Sequence, residues 1–212
     1  MSRTTDVQLL LDAYASGIFP MAAGRDDDEL HWVDPRMRGI FPLDNFHISR
    51  SLARAILREN YEIRTDSAFS EVVRLCAARS ETWINAPLTA LYDALHDIGH
   101  AHAIEVWQNG ALTGGVFGIT LGSAFFGESM FSTRTDASKI ALAYLVDRLT
   151  EAGFTLFDTQ FLTPHLASLG AVEIPRHDYR TRLAEALRHT AEFTLPETPS
   201  AQLLLQRRTQ RS

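Results

Sequence analysis

Three segments of this chain hold side chains that scaffolding alone does not require. In Phe125-Phe126-Gly127-Glu128-Ser129-Met130-Phe131, a single carboxylate sits inside an apolar run. Period-two alternation of a strand puts Phe126, Glu128 and Met130 on one face and Phe125, Gly127, Ser129 and Phe131 on the other. A carboxylate flanked by Phe and Met is either a desolvated functional acid or a paired structural one, because a lone buried charge is too costly to keep. In Phe157-Asp158-Thr159-Gln160, Asp158 and Gln160 point to the same side at the C-terminal end of an apolar strand. The third segment joins Gly17-Ile18-Phe19-Pro20-Met21 to His31-Trp32-Val33-Asp34-Pro35-Arg36 through an acidic run, Asp26 to Glu29, that reads as a solvated loop tip.

Other chemistries find less support. Neither G-x-x-x-x-G-K-[ST] nor G-x-G-x-x-G occurs, so no nucleotide phosphate cradle is indicated. His96, His100 and His102 invite a metal reading, but Gly99 breaks a helix between the first two and H-E-x-x-H is missing. They read as ordinary polar positions, and neither metal nor cofactor is expected. Ser138 and Lys139 are adjacent on a helix and so do not face each other. Cys76, the one cysteine, lies on an apolar helix face and reads as a buried structural thiol.

The 212 residues, 45% hydrophobic and 22% charged, predict one globular domain or one with a small appendage. No run approaches the ~20 apolar residues of a membrane span. The N-terminal MSRTTDVQ lacks the layout of a secretory signal, and one cysteine makes no internal disulfide, so a cytoplasmic protein is expected. The net charge of −6 gives little general attraction to nucleic acid. A polyanion therefore needs a local patch. One candidate is the stretch holding Arg36, Arg38, Arg50, Arg54 and Arg58 against the single acid Asp44. Arg207, Arg208 and Arg211 form a second small basic tip.

These groups must be positioned by elements that periodicity makes partly legible. Helices are expected at 5–16, 49–59 (Leu52, Ile56 and Leu57 inward), 66–77 (Asp66 capping) and 85–99 (Asn85 capping). Strands at 101–108, 111–120 and 123–131, joined by Asn109-Gly110 and a turn at Gly122, make a three-stranded antiparallel meander. A helix at 137–152, a strand at 154–158 and helices at 165–169 and 178–189 follow. The tail from Pro196 is expected to fray. Antiparallel strands with inserted helices argue α+β rather than a doubly wound parallel sheet. A boundary falls near 43–47, giving a small N-terminal domain, 1–46, and a larger domain, 47–212.

The chain resembles the leucyl/phenylalanyl-tRNA–protein transferase family of bacteria. The likeness runs from Tyr14-Ala15-Ser16-Gly17-Ile18-Phe19-Pro20-Met21 to about Tyr179. It rests on Trp32-Val33-Asp34-Pro35-Arg36, Phe46-His47-Ile48-Ser49-Arg50-Ser51-Leu52, Thr82-Trp83-Ile84, the block from Leu95 to Trp107, Phe126-Gly127-Glu128-Ser129-Met130-Phe131-Ser132, Ala137-Ser138-Lys139, Asp158-Thr159-Gln160 and Ser168-Leu169-Gly170-Ala171. Where the family carries two aromatics before its Pro-Arg block, this chain has His31 and Trp32.

The resemblance implies transfer of Leu or Phe from charged tRNA to the N-terminal Arg or Lys of a protein, marking it for degradation. It implies a GNAT-like catalytic domain with a mixed, largely antiparallel sheet, no cofactor, and a monomer. Asp158 and Gln160 match the family's proposed relay: the Gln160 carbonyl accepts a hydrogen bond from the incoming ammonium while Asp158 holds the amide. Glu128 stands near the acceptor or the aminoacyl-adenosine end. Trp32 and Trp83 stack on the terminal adenine. Val116, Phe125, Met130 and Phe157 are expected to form the pocket for the Leu or Phe side chain, where a β-branch clash would reject Ile and Val. Beside what the resemblance implies, the local charge of Arg36, Arg38, Arg50, Arg54 and Arg58 makes that stretch the expected contact for the tRNA acceptor stem. An acyl-coenzyme A transferase is the runner-up, disfavoured because the Ser132 to Ala137 stretch contains no glycine for a pyrophosphate loop. A non-catalytic tRNA-binding or degradation adaptor is the class alternative.

Overall fold

The computed structural model describes residues 3–211, with side chains described for 6–210. In chain order the elements are α1 (Arg3–Ala15), β1 (Phe19–Ala22), β2 (Leu30–Val33), β3 (Met37–Ile40), α2 (Arg50–Leu57), β4 (Glu62–Thr65), α3 (Phe69–Ala77), α4 (Ala86–Asp97), β5 (Ala101–Gln108), β6 (Ala111–Leu121), β7 (Ala124–Ser132), α5 (Ala137–Glu151), β8 (Leu156–Gln160), α6 (Pro164–Ser168), β9 (Val172–Pro175), α7 (Arg176–Ala186) and α8 (Ala201–Arg211). The architecture is α+β. Seven strands form one mixed sheet in the order β4-β5-β6-β7-β8-β3-β9, and β1 and β2 form a separate hairpin. Pairing is antiparallel throughout the large sheet except between β7 and β8. Two apolar cores flank the sheet, one lined by α1, α3, α4 and α7, the other by α2, α5 and α8. No helix among the described residues is long and apolar enough to cross a membrane.

The meander forms as its sequence predicts, with Asn109 and Gly110 both at positive φ in the β5–β6 turn. The caps of α2 and α4 also match: Ser49 Oγ accepts from Leu52 N–H and Asn85 Oδ1 from Leu88 N–H. Asp66 does not cap α3. Its carboxylate accepts from Ala103 N–H and His102 instead, and the N–H of Ala68 turns to Glu105. Leu57 is exposed rather than packed with Leu52 and Ile56.

One departure changes the site. Phe117 pairs with Ser129 but Gly118 pairs with Gly127, so Glu128 is an extra residue in β7, a β-bulge. Alternation reverses there. Met130 joins Phe125 and Val116 in one core, while Phe126 and Phe131 share the other, so Met130 does not share a face with Phe126 and Glu128. Gly118 permits the crossing, since a Cβ there would stand 2.3 Å from the Phe126 carbonyl oxygen.

The tail does not fray at its α8 segment. Ala201, Leu204 and Arg208 form a buried stripe, and the Arg208 guanidinium donates to the Leu43 and Phe46 carbonyls. α5 explains why a cover is needed. Its residues from Ile140 to Leu149 are buried on every side, by the sheet on one face and by α2 and α8 on the other. The Arg207 guanidinium reaches Asp147 and Glu151 on α5 rather than contributing to a free basic tip, and the side chain of Arg211 lies outside the described residues.

Candidate active site

The bulge aims Glu128 into the core that contains α1 and α4. Tyr14 on α1 donates to its Oε1 at 2.7 Å, and Tyr92 on α4 donates to its Oε2 at 2.9 Å. Gln160, at the end of β8, donates its side-chain Nε2 to Oε1 at 3.1 Å. Glu128 is 7% exposed. Burial raises its pKa to about 7, against the lowering pull of those three donors, while Asp158 adds to the rise. Both phenols are held well above the usual tyrosine range, by burial first and Glu128 second, so they stay neutral donors.

Asp158 is saturated. Arg38 grips it through Nε at 2.9 Å and Nη2 at 2.6 Å, Tyr179 Oη donates at 2.7 Å, and the backbone N–H of Gln160 donates at 2.7 Å. The Arg38 guanidinium also donates to the Gly17 carbonyl and lies 4.5 Å from both the Phe19 and Tyr179 ring centroids. Burial works against its charge, and Asp158 more than restores it, raising its pKa. Two expectations are corrected here. Arg38 is 1% exposed and engaged by Asp158, so it is closed to a tRNA stem. Asp158 holds the Gln160 backbone N–H, whereas the side-chain amide is held by Glu128.

This arrangement fixes Gln160 in an unusual backbone state. Its φ is +63°, the left-handed region that costs a non-glycine residue roughly 1–2 kcal/mol. The neighbouring strand makes room: a Cβ on Gly39, which pairs with Gln160, would sit 2.7 Å from the Phe161 carbonyl carbon. When ionised, Glu128 only accepts, and so selects the NH2 end of the amide. The Gln160 carbonyl oxygen is then the end left for a ligand.

Gln160 and Glu128 border a cleft of about 390 Å3. Val116, Met130, Leu142, Phe157 and Leu166 supply its apolar lining; Trp83, Arg79 and His165 are among its polar and aromatic members. Thr159 also lines it, with a buried hydroxyl that has no partner among the described residues. Burial, and then Lys139, lowers the His165 pKa, which favours a neutral imidazole at this wall.

The expected pocket thus keeps Val116, Met130 and Phe157. Phe125 does not line it; its ring packs in the core against Phe154, Phe157 and Phe193. Trp83 lines the cleft, whereas Trp32 stands on β2, 46% exposed and outside that lining. The two are linked through the hairpin: Trp32 pairs with Pro20, and Ala22 N–H donates to the Trp83 carbonyl. The arginine-rich stretch is not one patch. Arg36 lies in the loop before β3, Arg38 is buried, and Arg50, Arg54 and Arg58 are exposed along α2 and its end. Tyr14, Tyr92 and Tyr179 were not among the site residues expected from the sequence. The available signal was a phenol at an inward position of an otherwise apolar helix face, a group that needs a buried acceptor.

The profile of the family described as leucyl/phenylalanyl-tRNA protein transferase matches residues 40–184, and the profile of that family's N-terminal domain matches residues 4–36. A leucyl/phenylalanyl-tRNA–protein transferase of Cereibacter sphaeroides is 63% identical over 97% of this chain and 96% of its own length. Counterparts carrying the same name in a Ruegeria species (60%, covering 99% and 100%) and in Roseobacter denitrificans (58%, covering 100% of both) are similar throughout. Among solved structures, FemX matches in fold with a TM-score of 0.51 at 13% identity, over 82% of this chain and 70% of that one. Matching profiles across both parts of the chain, and relatives this similar along its whole length, show that it belongs to the leucyl/phenylalanyl-tRNA–protein transferase family.

Proposed function

We propose that this aminoacyltransferase moves Leu or Phe from its tRNA to proteins that begin with Arg or Lys, and that the bond forms beside Gln160. The observation that carries the reading is the Glu128–Gln160 contact. It turns the amide so that its carbonyl oxygen is available to an incoming α-ammonium, and the left-handed backbone holds it there.

The chemistry asks for positioning more than for a strong base. The aminoacyl ester is already activated. The α-ammonium first gives a proton to solvent; the neutral nitrogen attacks the ester carbonyl, the new amide bond forms, the ester C–O bond breaks, and the nitrogen's second proton passes to the departing ribose oxygen, which leaves as a hydroxyl. Gln160 orients the amine, and Glu128, ionised above about pH 7, adds negative charge behind it. The donor side chain fits the lining made by Val116, Met130, Leu142, Phe157 and Leu166; methionine adapts to both Leu and Phe. Trp83 offers a stacking face for the terminal adenine, an interaction worth ~1–3 kcal/mol per base.

The same reading includes a GNAT-like catalytic sheet, supported by the meander followed by α5 and the parallel strand β8. It also includes a monomer working in the cytoplasm. An acyl-coenzyme A donor is disfavoured because the turn into α5 is closed by Asp136 at positive φ rather than by glycine.

Transfer of labelled Leu from charged tRNA to peptides beginning with Arg, Lys, Asp, Glu or Ala tests this. Label on the Arg and Lys peptides alone is expected. Label on the acidic peptides would overturn the acceptor assignment. Binding of tRNA with no transfer to any peptide would make the chain an adaptor.

A further inference from the structure

The loop between α3 and α4, residues 78–85, carries two groups of the cleft wall, Arg79 and Trp83. It has no regular secondary structure, and Ala78, Arg79, Ser80 and Glu81 are exposed. A Trp face helps to hold a base only if it is already in place. A loop that must be ordered on binding loses part of the gain to its own entropy. The position of Trp83 therefore depends on what grips the loop from outside.

The hairpin β1–β2 supplies that grip. At its tip, Arg25 is the one cation in Gly24-Arg25-Asp26-Asp27-Asp28-Glu29. The tip is shaped by its own hydrogen bonds: Asp27 N–H donates to the Gly24 carbonyl at 3.3 Å, and Glu29 N–H donates to Asp27 Oδ1 at 3.0 Å. From this turn the Arg25 guanidinium reaches the loop, where its Nη2 donates to the carbonyls of Ala77 and Arg79, each at 2.8 Å. Ala77 ends α3, and the last carbonyls of a helix have no partner within it and carry partial negative charge, so a cation suits them. Two further hydrogen bonds tie hairpin to loop: Ala22 N–H donates to the Trp83 carbonyl at 3.3 Å, and Asn85 Nδ2 donates to the Asp27 carbonyl at 2.7 Å. On its other side the loop reaches β7, where Arg79 donates to the Met130 carbonyl.

These ties are not equally open to test. The Ala22 donor is backbone, and Asn85 also caps α4. Arg25 is exposed and outside the cleft lining, so its truncation leaves no cavity and removes no group that faces the substrate.

We propose that Arg25 is a positioning residue for the transfer reaction: it braces the 78–85 loop so that the Trp83 ring stands ready for the terminal adenine of the donor. The inference rests on the stacking role given to Trp83 above and adds the residue that sets its place. The adenine is remote from the bond being made, so the loss on truncation falls on KM rather than kcat.

A double-mutant cycle in the full chain tests it, with 3′-O-leucyl-adenosine as donor and an Arg-initiated peptide as acceptor. Arg25→Ala is expected to lower kcat/KM about tenfold, the scale of losing hydrogen bonds from a charged donor, with kcat within about twofold of wild type. In a Trp83→Ala background the same change is expected to cost nothing further, because the ring it positions is gone. Arg182→Ala, an exposed site on α7 with the same change in net charge, is expected to match wild type. Hydrogen exchange gives a readout independent of turnover: in Arg25→Ala the peptides covering 78–85 should exchange faster, while those of β5 to β7 stay as in wild type. A full loss retained in the Trp83→Ala background, a loss matched by Arg182→Ala, wild-type kinetics, or unchanged exchange at 78–85 would each overturn the brace and leave the transferase reading intact. Trp83→Ala at the wild-type rate would instead overturn the stacking role itself, and a wild-type protein that uses neither leucyl-adenosine nor leucyl-tRNA would overturn the transferase reading.

Discussion

Glu128 shows how much one side chain depends on its surroundings. As a residue in a strand it is merely an acid among phenylalanines. With Tyr14, Tyr92 and Gln160 as donors it becomes a carboxylate kept near half-ionisation at neutral pH. Its raised pKa has a stability consequence. A carboxyl that binds its proton more tightly when folded than when unfolded contributes stability at low pH and loses it as pH rises through the folded value. Between the ordinary 4.5 and about 7 the difference is on the order of 3 kcal/mol as an upper bound. Glu128→Gln, which cannot ionise, should therefore gain stability relative to wild type as pH rises from 5 to 8, measured by denaturant unfolding. Parallel curves for the two proteins would contradict the burial argument. Asp158 differs because its four donors leave it no role as a free base; it fixes Arg38, Tyr179 and the Gln160 backbone instead.

At the scale of elements, the site is made by two irregularities: the extra residue in β7 and the left-handed end of β8. The second carries a testable cost. Glycine tolerates positive φ and alanine does not, so Gln160→Gly should be more stable than Gln160→Ala by about 1 kcal/mol, while neither supports transfer. Equal stabilities would mean that the backbone there is unstrained. These irregularities also mark where sequence reasoning stopped. The meander, α4 with its Asn85 cap and the buried face of α3 were legible because apolar period and turn residues agreed. A bulge leaves no mark on period two until the partner strand is known, so Met130 was placed on the wrong face. Strands β1, β2, β3 and β9 are four residues each and include Pro20, Gly39 and Pro175, too short and broken for alternation to register. The α8 stripe of Ala201, Leu204 and Arg208 was readable in principle but lay under a basic, polar composition.

Across the whole molecule, residues far apart in sequence meet at one point. The second core packs α2, α5 and α8 behind the sheet, and the first supplies Tyr14 and Tyr92 from α1 and α4. β3 is inserted between β8 and β9, which carries Arg38 from the N-terminal stretch to Asp158. The resemblance placed Glu128, Asp158 and Gln160 together before any geometry was known; the geometry exchanged their partners and took Arg38 out of the basic surface. The central claim is that Gln160 orients the attacking amine. Single-turnover transfer from saturating leucyl-tRNA to an Arg-initiated peptide, comparing wild type with Gln160→Ala, tests it most directly. The account predicts a rate at least a hundredfold lower with tRNA affinity within about twofold of wild type, since positioning at the reacting atoms commonly carries a factor of ~10² or more. A variant that transfers at the wild-type rate would contradict it.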